Sequence, residues 1–265
     1  MKYKQKQKIT QYLMRNGSAT YSELSLLCKV SQSTIRRYLS ELHDEAGIEL
    51  TRGGALYPQS IKEVPYQLRI KSDYELNVKR CLAEFAVKKF IHDEMVLCLE
   101  GGTTICRITE FISDYKNLTI FTNGVNTISN LYNIHSSSLA ICSGGILKSV
   151  NNSLVGPVAV DFFENYNADI GFFSSLGISI EKGFTDADLM DIQVNQKMGS
   201  ICEKIVIITT SDKIAINSAT TAFRFKEIDA WITDSNAPEQ FIKEVKNLGV
   251  DTYIVDVSHL DAKKK

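Results

Sequence analysis

Apolar residues near the start of the chain recur every three or four positions, which predicts helices rather than strands. A first helix is expected over about residues 4–15. Asn16-Gly17 is expected to end it, because glycine readily takes the left-handed conformation found at helix C-termini. Thr20 and Glu23 have the spacing of a capping box, so a second helix should begin there. Its buried stripe is expected to consist of Leu24, Leu27 and Cys28.

A third helix is expected to begin at Ser31. Its buried residues, spaced at i, i+4 and i+7, are Ile35, Leu39 and Leu42. Its outward-facing residues near the start are Gln32, Ser33, Arg36 and Arg37. A short helix, a tight turn and a second helix with an exposed polar start suit insertion of that second helix into the DNA major groove. Glutamine can pair with adenine and arginine with guanine, while serine and threonine reach phosphates or base edges.

Residues 48–57 alternate around Arg52-Gly53-Gly54, which predicts a short hairpin, or wing, after the third helix. Arg52 at its tip is expected to meet phosphate or the minor groove. The predicted DNA-binding residues are therefore Ser31, Gln32, Ser33, Thr34, Arg36, Arg37 and Arg52. Protein-interaction modules share this shape, and adjacent arginines often form only a solvated helix face, so the pattern alone leaves both interpretations open.

After residue 72 the pattern changes to short apolar runs that alternate with amphipathic segments. The apolar runs predict strands at residues 95–99, 118–122, 139–142, 170–174, 205–210, 230–233 and 253–255. The amphipathic segments predict helices at residues 74–91, from the GGTT sequence to about 113, 188–203 and 238–248. This alternation indicates an α/β domain with a mainly parallel sheet covered on both faces. Residues 59–72 lack a period and predict a linker between domains at 1–58 and 73–265.

Polar turns, four of them containing glycine, are expected at the edge of this sheet where α/β proteins bind their ligands. They are residues 100–104, 122–124, 143–145, 183–186 and 211–213. In the first turn, glycines allow close approach to the backbone and threonine hydroxyls can donate, while Lys213 in the last supplies a positive charge. Each turn alone is compatible with an ordinary connection between a strand and a helix, but together they predict a small anionic ligand.

Charge is unevenly distributed along the 265-residue chain, although its net charge is only −1. Residues 1–71 contain 12 Lys and Arg against 6 Asp and Glu, a net of +6, which leaves −7 for the remainder. A basic first domain indicates that this part meets a polyanion, unless its N-terminal lysines only form a solvated face. The six cysteines show no CxxC spacing and the four histidines do not cluster near them, which predicts reduced thiols and no metal site.

Two segments of the first domain, VSQSTIRRYLSEL and GIELTRGGALYP, resemble the N-terminal domain of DeoR-type bacterial transcriptional regulators. Tyr38 stands where that family usually has aspartate, and Arg52 where it usually has histidine. Further segments resemble the sensor domain of these regulators in the same order: EGGTTICRITEFI, NLTIFTNGVNTISNL, CSGGIL, LVGPVAVDFF, GFTDAD and TSDKI. The resemblance implies a winged helix-turn-helix followed by a Rossmann-like α/β domain related in fold to ribose-5-phosphate isomerase and glucosamine-6-phosphate deaminase.

The resemblance also implies an effector, a phosphorylated sugar or nucleoside metabolite that changes the affinity of the protein for DNA. By position in the motifs, the residues implied to hold the phosphate are Gly102, Thr103, Thr104 and Lys213. Those implied to line the sugar are Thr122, Asn123, Gly144 and Gly145. No cofactor is implied.

The main hypothesis is a transcriptional regulator, most simply a repressor of carbohydrate genes, that binds a double-stranded DNA operator. Because operators are commonly pseudo-palindromic, a homo-oligomer is expected. One alternative is a constitutive DNA-binding protein whose large domain only oligomerises. Another is a sugar-phosphate isomerase or deaminase that uses Glu100, Asp186 or Asp188, but no paired acid and base is recognisable, so no catalytic residue is predicted. With no apolar run near the ~20 residues that a membrane span needs and no signal peptide, a cytoplasmic protein without a membrane partner is expected.

Overall fold

The chain divides into two units, Met1–Tyr66 and Gln67–Lys265, each with a hydrophobic core of its own. The computed structural model describes residues 5–6, 8–10, 12–13, 18–46, 48–51, 53–57, 76–134 and 138–262. The expected helix end at Asn16-Gly17, the wing residue Arg52 and the expected linker at 59–72 lie outside the described residues. No described helix is long and apolar enough to span a bilayer.

The first unit is a small helical domain with a three-stranded antiparallel sheet. Residues 5–6, 8–10 and 12–13 are helical, as predicted. The other helices are α1, Tyr21–Cys28, and α2, Gln32–Ala46. The strands are β1, Ser18–Thr20, β2, Glu49–Leu50, and β3, Gly54–Leu56, in the order β1-β3-β2. β2 and β3 form the predicted wing, whereas β1 was not predicted because three residues are too few to show a period.

Local signals set the helix boundaries of this unit. The Thr20 hydroxyl accepts the amide of Glu23 at 3.2 Å, and the carboxylate of Glu23 accepts the amide of Thr20 at 2.7 Å, which confirms the capping box. The predicted stripe of α2 is buried, but Leu27 of α1 is only partly so. Tyr38 joins the core rather than the outer face. The residues that the two helices bury are therefore largely those that their periodicity predicted.

The second unit is built on a parallel sheet of seven described strands. Their bounds are β4 Val96–Leu99, β5 Thr119–Thr122, β6 Leu139–Cys142, β9 Ala168–Phe173, β12 Cys202–Ile208, β14 Ala230–Asp234 and β15 Asp251–Val255. The strands take the order β15-β14-β12-β9-β4-β5-β6, and every pairing between them is parallel. This confirms the predicted sheet, with each expected strand present to within a few residues.

Both faces of the sheet are covered. Leu97 and Leu99 of β4 lie in one hydrophobic cluster, and Cys98 between them lies in the other, as alternating strand residues must. The covering helices are α3 Leu76–Phe90, α4 Val125–Tyr132, α5 Pro157–Phe162, α6 Leu189–Ser200, α7 Glu239–Asn247 and α8 Ser258–Ala262. The segment after the GGTT sequence, expected to be helical to about 113, is a 3-10 helix over Ile105–Glu110.

Short antiparallel strands outside this sheet were not predicted. β7, Ile146–Lys148, pairs with β8, Ser153–Val155. β10, Gly177–Ser179, β11, Gly183–Asp186, and β13, Thr220–Phe223, form a separate sheet. Residues 183–186 were expected to be a polar turn before a helix. They do precede α6, but they form strand β11, so the expected turn is wrong. Phe184 within them is fully buried against Phe225, with ring centroids 5.1 Å apart, so the segment is a core strand.

Candidate functional sites

The first candidate site is the outer face of α2, where Gln32, Ser33, Arg36 and Arg37 are exposed. We call these four residues the recognition face. Ser31 is exposed at the helix start, and its hydroxyl oxygen accepts the amide of Thr34 at 3.3 Å. Thr34 is only half-exposed, and its hydroxyl lies 2.9 Å from that of Ser31. Ser31 and Thr34 thus help to form the helix start, and their contact with DNA remains a prediction.

Side chains of α1 hold part of the recognition face in position. The guanidinium carbon of Arg36 lies 4.7 Å from the ring centroid of Tyr21, a cation–π distance. The amide nitrogen of Gln32 donates to the hydroxyl of Ser22 at 3.0 Å. Tyr21 also contacts the wing, since its amide donates to the carbonyl of Gly53 at 2.9 Å. Sequence reasoning missed Tyr21 and Ser22, because a stack between neighbouring helices leaves no periodic signal.

The second candidate site lies at the C-terminal ends of the parallel strands of the second unit. There the Thr122 hydroxyl donates to the carbonyl of Leu99 at 2.6 Å and accepts the amide of Gly124 at 2.9 Å. Asn123 accepts the amide of Gly101 at 2.9 Å. Both side chains are buried and tie the loop after β5 to the end of β4. Their hydrogen bonds shape the site, and a direct effector contact from them remains a prediction.

Glycines let the loops of this edge approach closely. A Cβ atom on Gly124 would lie 2.7 Å from the Cα atom of Gly101, closer than real contacts allow. Gly144 and Gly145 have φ angles of +68° and +109°, which favour glycine. Gly144 and Gly145 are exposed, as the proposed sugar-lining role requires.

Positive charge collects around the loop that follows β4. The Nζ atom of Lys79 on α3 donates to the Thr103 hydroxyl at 3.3 Å, and Lys79 is only 4% exposed. Lys213 donates to the Ser174 hydroxyl at 3.2 Å. Burial and the charge of Lys213, with a weaker effect of Arg107, lower the pKa of Lys79 to about 8. Lys79 therefore contacts the predicted phosphate loop, and Lys213 and Arg107 are close enough to affect its pKa.

Lys79 was missed by sequence reasoning, although a signal for it exists. It lies three and four residues before Leu82 and Ala83, on the buried face of α3. A lysine within an apolar stripe is uncommon unless its charge has a partner. Its partner loop is distant in sequence, so only the fold shows what the ammonium faces.

Carboxyl groups lie at the same sheet edge. Glu100 accepts the amide of Ser174 at 3.2 Å. Burial and the negative charges of Asp186 and Asp191 raise the pKa of Glu100 to about 8, against the opposing effect of Lys213. The carboxyl of Glu100 thus lies within the field of both negative and positive groups, an arrangement typical of ligand sites.

An ionic cluster fastens the β7–β8 hairpin to α6. Lys148 of β7 lies 2.5 Å from the carboxylate of Asp191 and 2.6 Å from that of Asp188. The Ser153 hydroxyl of β8 donates to Asp191 at 2.7 Å. Asp188 also caps α6, since its side chain accepts the amide of Met190 at 2.9 Å. The hydrogen bond from Lys148 holds the pKa of Asp188 below its usual range.

Glu100→Gln is expected to raise the thermal unfolding midpoint, and to raise it more at pH 9 than at pH 5. The raised pKa means that the folded protein keeps this carboxyl protonated while the unfolded chain ionises, so stability falls as pH rises from about 4.5 to about 8. Glutamine does not ionise and escapes this loss. Differential scanning calorimetry at both pH values measures the thermal unfolding midpoint, with the exposed residue substitution Glu181→Gln as control. An equal gain at both pH values would contradict the burial of an ionisable Glu100.

Comparison with known proteins identifies the family. The model of the DeoR-like helix-turn-helix domain matches residues 6–61, and that of the DeoR C terminal sensor domain matches residues 75–235. The HTH-type transcriptional regulator IolR of Bacillus subtilis is 25% identical over 244 residues, which cover 91% of this chain and 94% of IolR. The regulator GolR of Listeria innocua is 26% identical, covering 96% of this chain and 99% of GolR.

The HTH-type transcriptional repressor GlcR of Bacillus subtilis is 26% identical, covering 94% of each chain. Among solved structures, ribose 5-phosphate isomerase from Plasmodium falciparum aligns with 53% of this chain and 54% of its own, at 14% identity and a TM-score of 0.40. The family assignment rests on the domain matches, which fall on the two units with the candidate sites. Because the sensor-domain match alone spans more than half of the chain, the protein belongs to the DeoR family of DNA-binding transcriptional regulators.

Proposed function

We propose that the protein represses genes of carbohydrate metabolism and that a phosphorylated sugar or nucleoside metabolite controls its binding to a double-stranded DNA operator. The observation that carries this proposal is the hydrogen bond from Lys79 to Thr103 of the Gly102-Thr103-Thr104 loop, with Lys213 close enough to lower the pKa of Lys79. Two lysine ammonium groups beside glycine and threonine suit a dianionic phosphate. The similar protein GlcR is a repressor, which supports the direction of regulation.

The second unit, which we call the sensor unit, is proposed to bind its effector without converting it to a product. Asp188 already caps a helix and pairs with Lys148, which keeps it ionised. Glu100 accepts a backbone amide. The similar proteins IolR and GolR, which align over almost their whole length, are transcriptional regulators.

Two further properties follow from the proposed operator. A pseudo-palindromic operator presents two equivalent half-sites, so the protein is proposed to bind as a homo-oligomer with two-fold symmetry. Because the proposed operator is intracellular DNA, we also propose that the protein is cytoplasmic and has no membrane partner.

A ligand screen on the full chain tests the proposal. Thermal unfolding is measured with pentose phosphates, hexose phosphates and nucleoside monophosphates, and a bound ligand raises the midpoint. The stabilising compound is expected to change affinity for a DNA duplex, selected by the protein from a random library, by about fivefold or more. No product should form. DNA affinity that no compound alters would favour the constitutive alternative, and turnover lost in Glu100→Gln would favour an enzyme.

A further inference from the structure

The β7–β8 hairpin has an open edge. Among the strands that the structure describes, β7 pairs only with β8, and Leu147 lies opposite Leu154. The amide of Leu154 donates to the carbonyl of Asn123 at 2.7 Å, on the side of β8 away from β7. Leu147 and Leu154 are therefore a non-hydrogen-bonded pair, so the amide and carbonyl of Leu147 point to the open edge. This edge has the groups needed to pair with another antiparallel strand.

The lysine of β7 does not protect this edge. Edge strands often carry a lysine whose charge prevents pairing with another chain. Lys148 instead points towards α6, where its ammonium lies 2.6 Å from the carboxylate of Asp188 and 2.5 Å from that of Asp191. Because side chains alternate along a strand, Leu147 faces away from α6. The outer face of the hairpin therefore presents Leu147 and its cross-strand neighbour Leu154.

Apolar side chains are exposed around the hairpin as well as on it. They lie on β7, in the turn after it and at the starts of α5 and α6, two helices that contact β8. We give the name hairpin patch to these six residues, which are 39% to 64% exposed: Ile146, Leu147, Val150, Val158, Leu189 and Met190. Together they expose on the order of 600 Å² of apolar surface, the upper end of what a soluble monomer shows. Each partner of a stable complex buries roughly 800 Å², about two-thirds of it apolar in homodimers, so the patch is large enough for a dimer interface.

We propose that β7 pairs with β7 of a second copy of this chain, as antiparallel strands related by a two-fold axis at Leu147. This inference rests on the homo-oligomer of the proposed function and names its interface. An antiparallel pair centred on one residue looks the same from either chain, so one edge serves both partners. The amide of Leu147 donates to the carbonyl of the partner's Leu147, and the reverse bond is made as well. Leu147 and Leu154 of both copies form one apolar layer across the axis.

A second copy suits the hairpin patch better than a charged partner does. The charge of Lys148 is paired within the chain, so two copies approach without repulsion between their lysines. A protein that binds two equivalent half-sites also needs a two-fold contact between its subunits. Gly144 and Gly145 directly precede β7. The contact between copies therefore lies next to the proposed sugar-lining residues, where a bound effector can influence it.

Substitution of Leu147 tests the interface in the full chain. Leu147→Lys places two ammonium groups at the axis and removes two buried leucines, so the dissociation constant for self-association is expected to rise at least about 100-fold. Its far-ultraviolet circular-dichroism spectrum should match that of wild type, since Leu147 is exposed in the single chain. Leu248→Lys is the matched control, because Leu248 is similarly exposed but precedes β15, at one edge of the seven-stranded sheet. Analytical ultracentrifugation measures the self-association.

A cross-link tests the two-fold register and does not depend on the lysine variant. Opposite residues of a hydrogen-bonded antiparallel pair have Cα atoms about 5.5 Å apart, within the range that a disulfide spans. Leu147→Cys is therefore expected to form a covalent dimer under mild oxidation with copper phenanthroline, and a reducing agent should reverse it. Wild type and Leu248→Cys measure the background from the six native cysteines.

The outcomes distinguish this inference from the proposed function. If Leu147→Lys associates as wild type does, the interface lies elsewhere and the proposed homo-oligomer stands. If wild type is oligomeric but Leu147→Cys cross-links no more than Leu248→Cys, the pairing of β7 is overturned. A wild type that is monomeric both alone and on its operator duplex overturns the proposed homo-oligomer and this inference with it, and leaves the hairpin patch to a partner of another kind.

Discussion

Replacing both Arg36 and Arg37 with alanine is expected to weaken binding to operator DNA by about 100-fold or more, while the thermal unfolding midpoint stays nearly unchanged. Both side chains are exposed on the recognition face, so their removal leaves the core packing intact. Each good pairing of an arginine with a base is worth roughly 1–3 kcal/mol, and the double variant can form neither pairing. The slope of log affinity against log salt should also fall by ~0.9 for each phosphate that the variant no longer neutralises.

The measurement uses fluorescence anisotropy with a duplex that wild type selects from a random library, together with a circular-dichroism melt. The control is Lys88→Ala with Lys89→Ala, which removes an adjacent, exposed basic pair from a helix of the sensor unit. The control should bind the duplex as wild type does. If the arginine double variant keeps wild-type affinity, the recognition face is not the DNA-binding surface.

Lys213→Ala and Thr104→Val are each expected to leave operator binding intact and to abolish the response of that binding to the effector. Lys213 contributes positive charge at the loop, and a charge-assisted bond to phosphate is worth ~1.5–3 kcal/mol, or about 10- to 100-fold in affinity. Thr104 is 1% exposed at the start of the 3-10 helix, but its hydroxyl forms no capping bond there. We expect this hydroxyl to contribute to the effector site, because Thr104 belongs to the predicted phosphate loop.

Operator affinity is measured with and without the phosphorylated compound that stabilises wild type. Lys226→Ala, an exposed lysine of the same unit, provides the control and should respond normally. If both site variants still respond as wild type does, the effector binds elsewhere in the sensor unit.

The features that depend on residues close together in the sequence were predicted. Those that depend on contacts between residues far apart in the sequence were not. The capping box at Thr20 and the buried stripe of α2 depend on residues within one or two turns, so they were found. Continuous apolar runs revealed the parallel strands, because strands covered on both faces have few polar residues. β7 and β10 are three residues long and show no such run.

The candidate sites show the same division. The recognition face follows from the spacing of Ile35 and Leu39, which fixes what faces outwards. Lys79 was overlooked because a lysine on a helix is usually solvated. The residue that its ammonium contacts, Thr103, lies 24 residues away in the sequence. Asn123 was predicted to line the sugar, but its bond to the Gly101 amide, which ties two loops together, could not be read from either segment alone.

The contacts of Tyr21 bear on how regulators of this family diverge. Its ring lies beside Arg36, its amide binds Gly53, and its hydroxyl donates to the carbonyl of Thr51 at 3.3 Å. A substitution in the wing is therefore expected to reposition Arg36 while the residues of the recognition face stay the same. We therefore expect that operator preference can also change through substitutions at positions that do not contact a base.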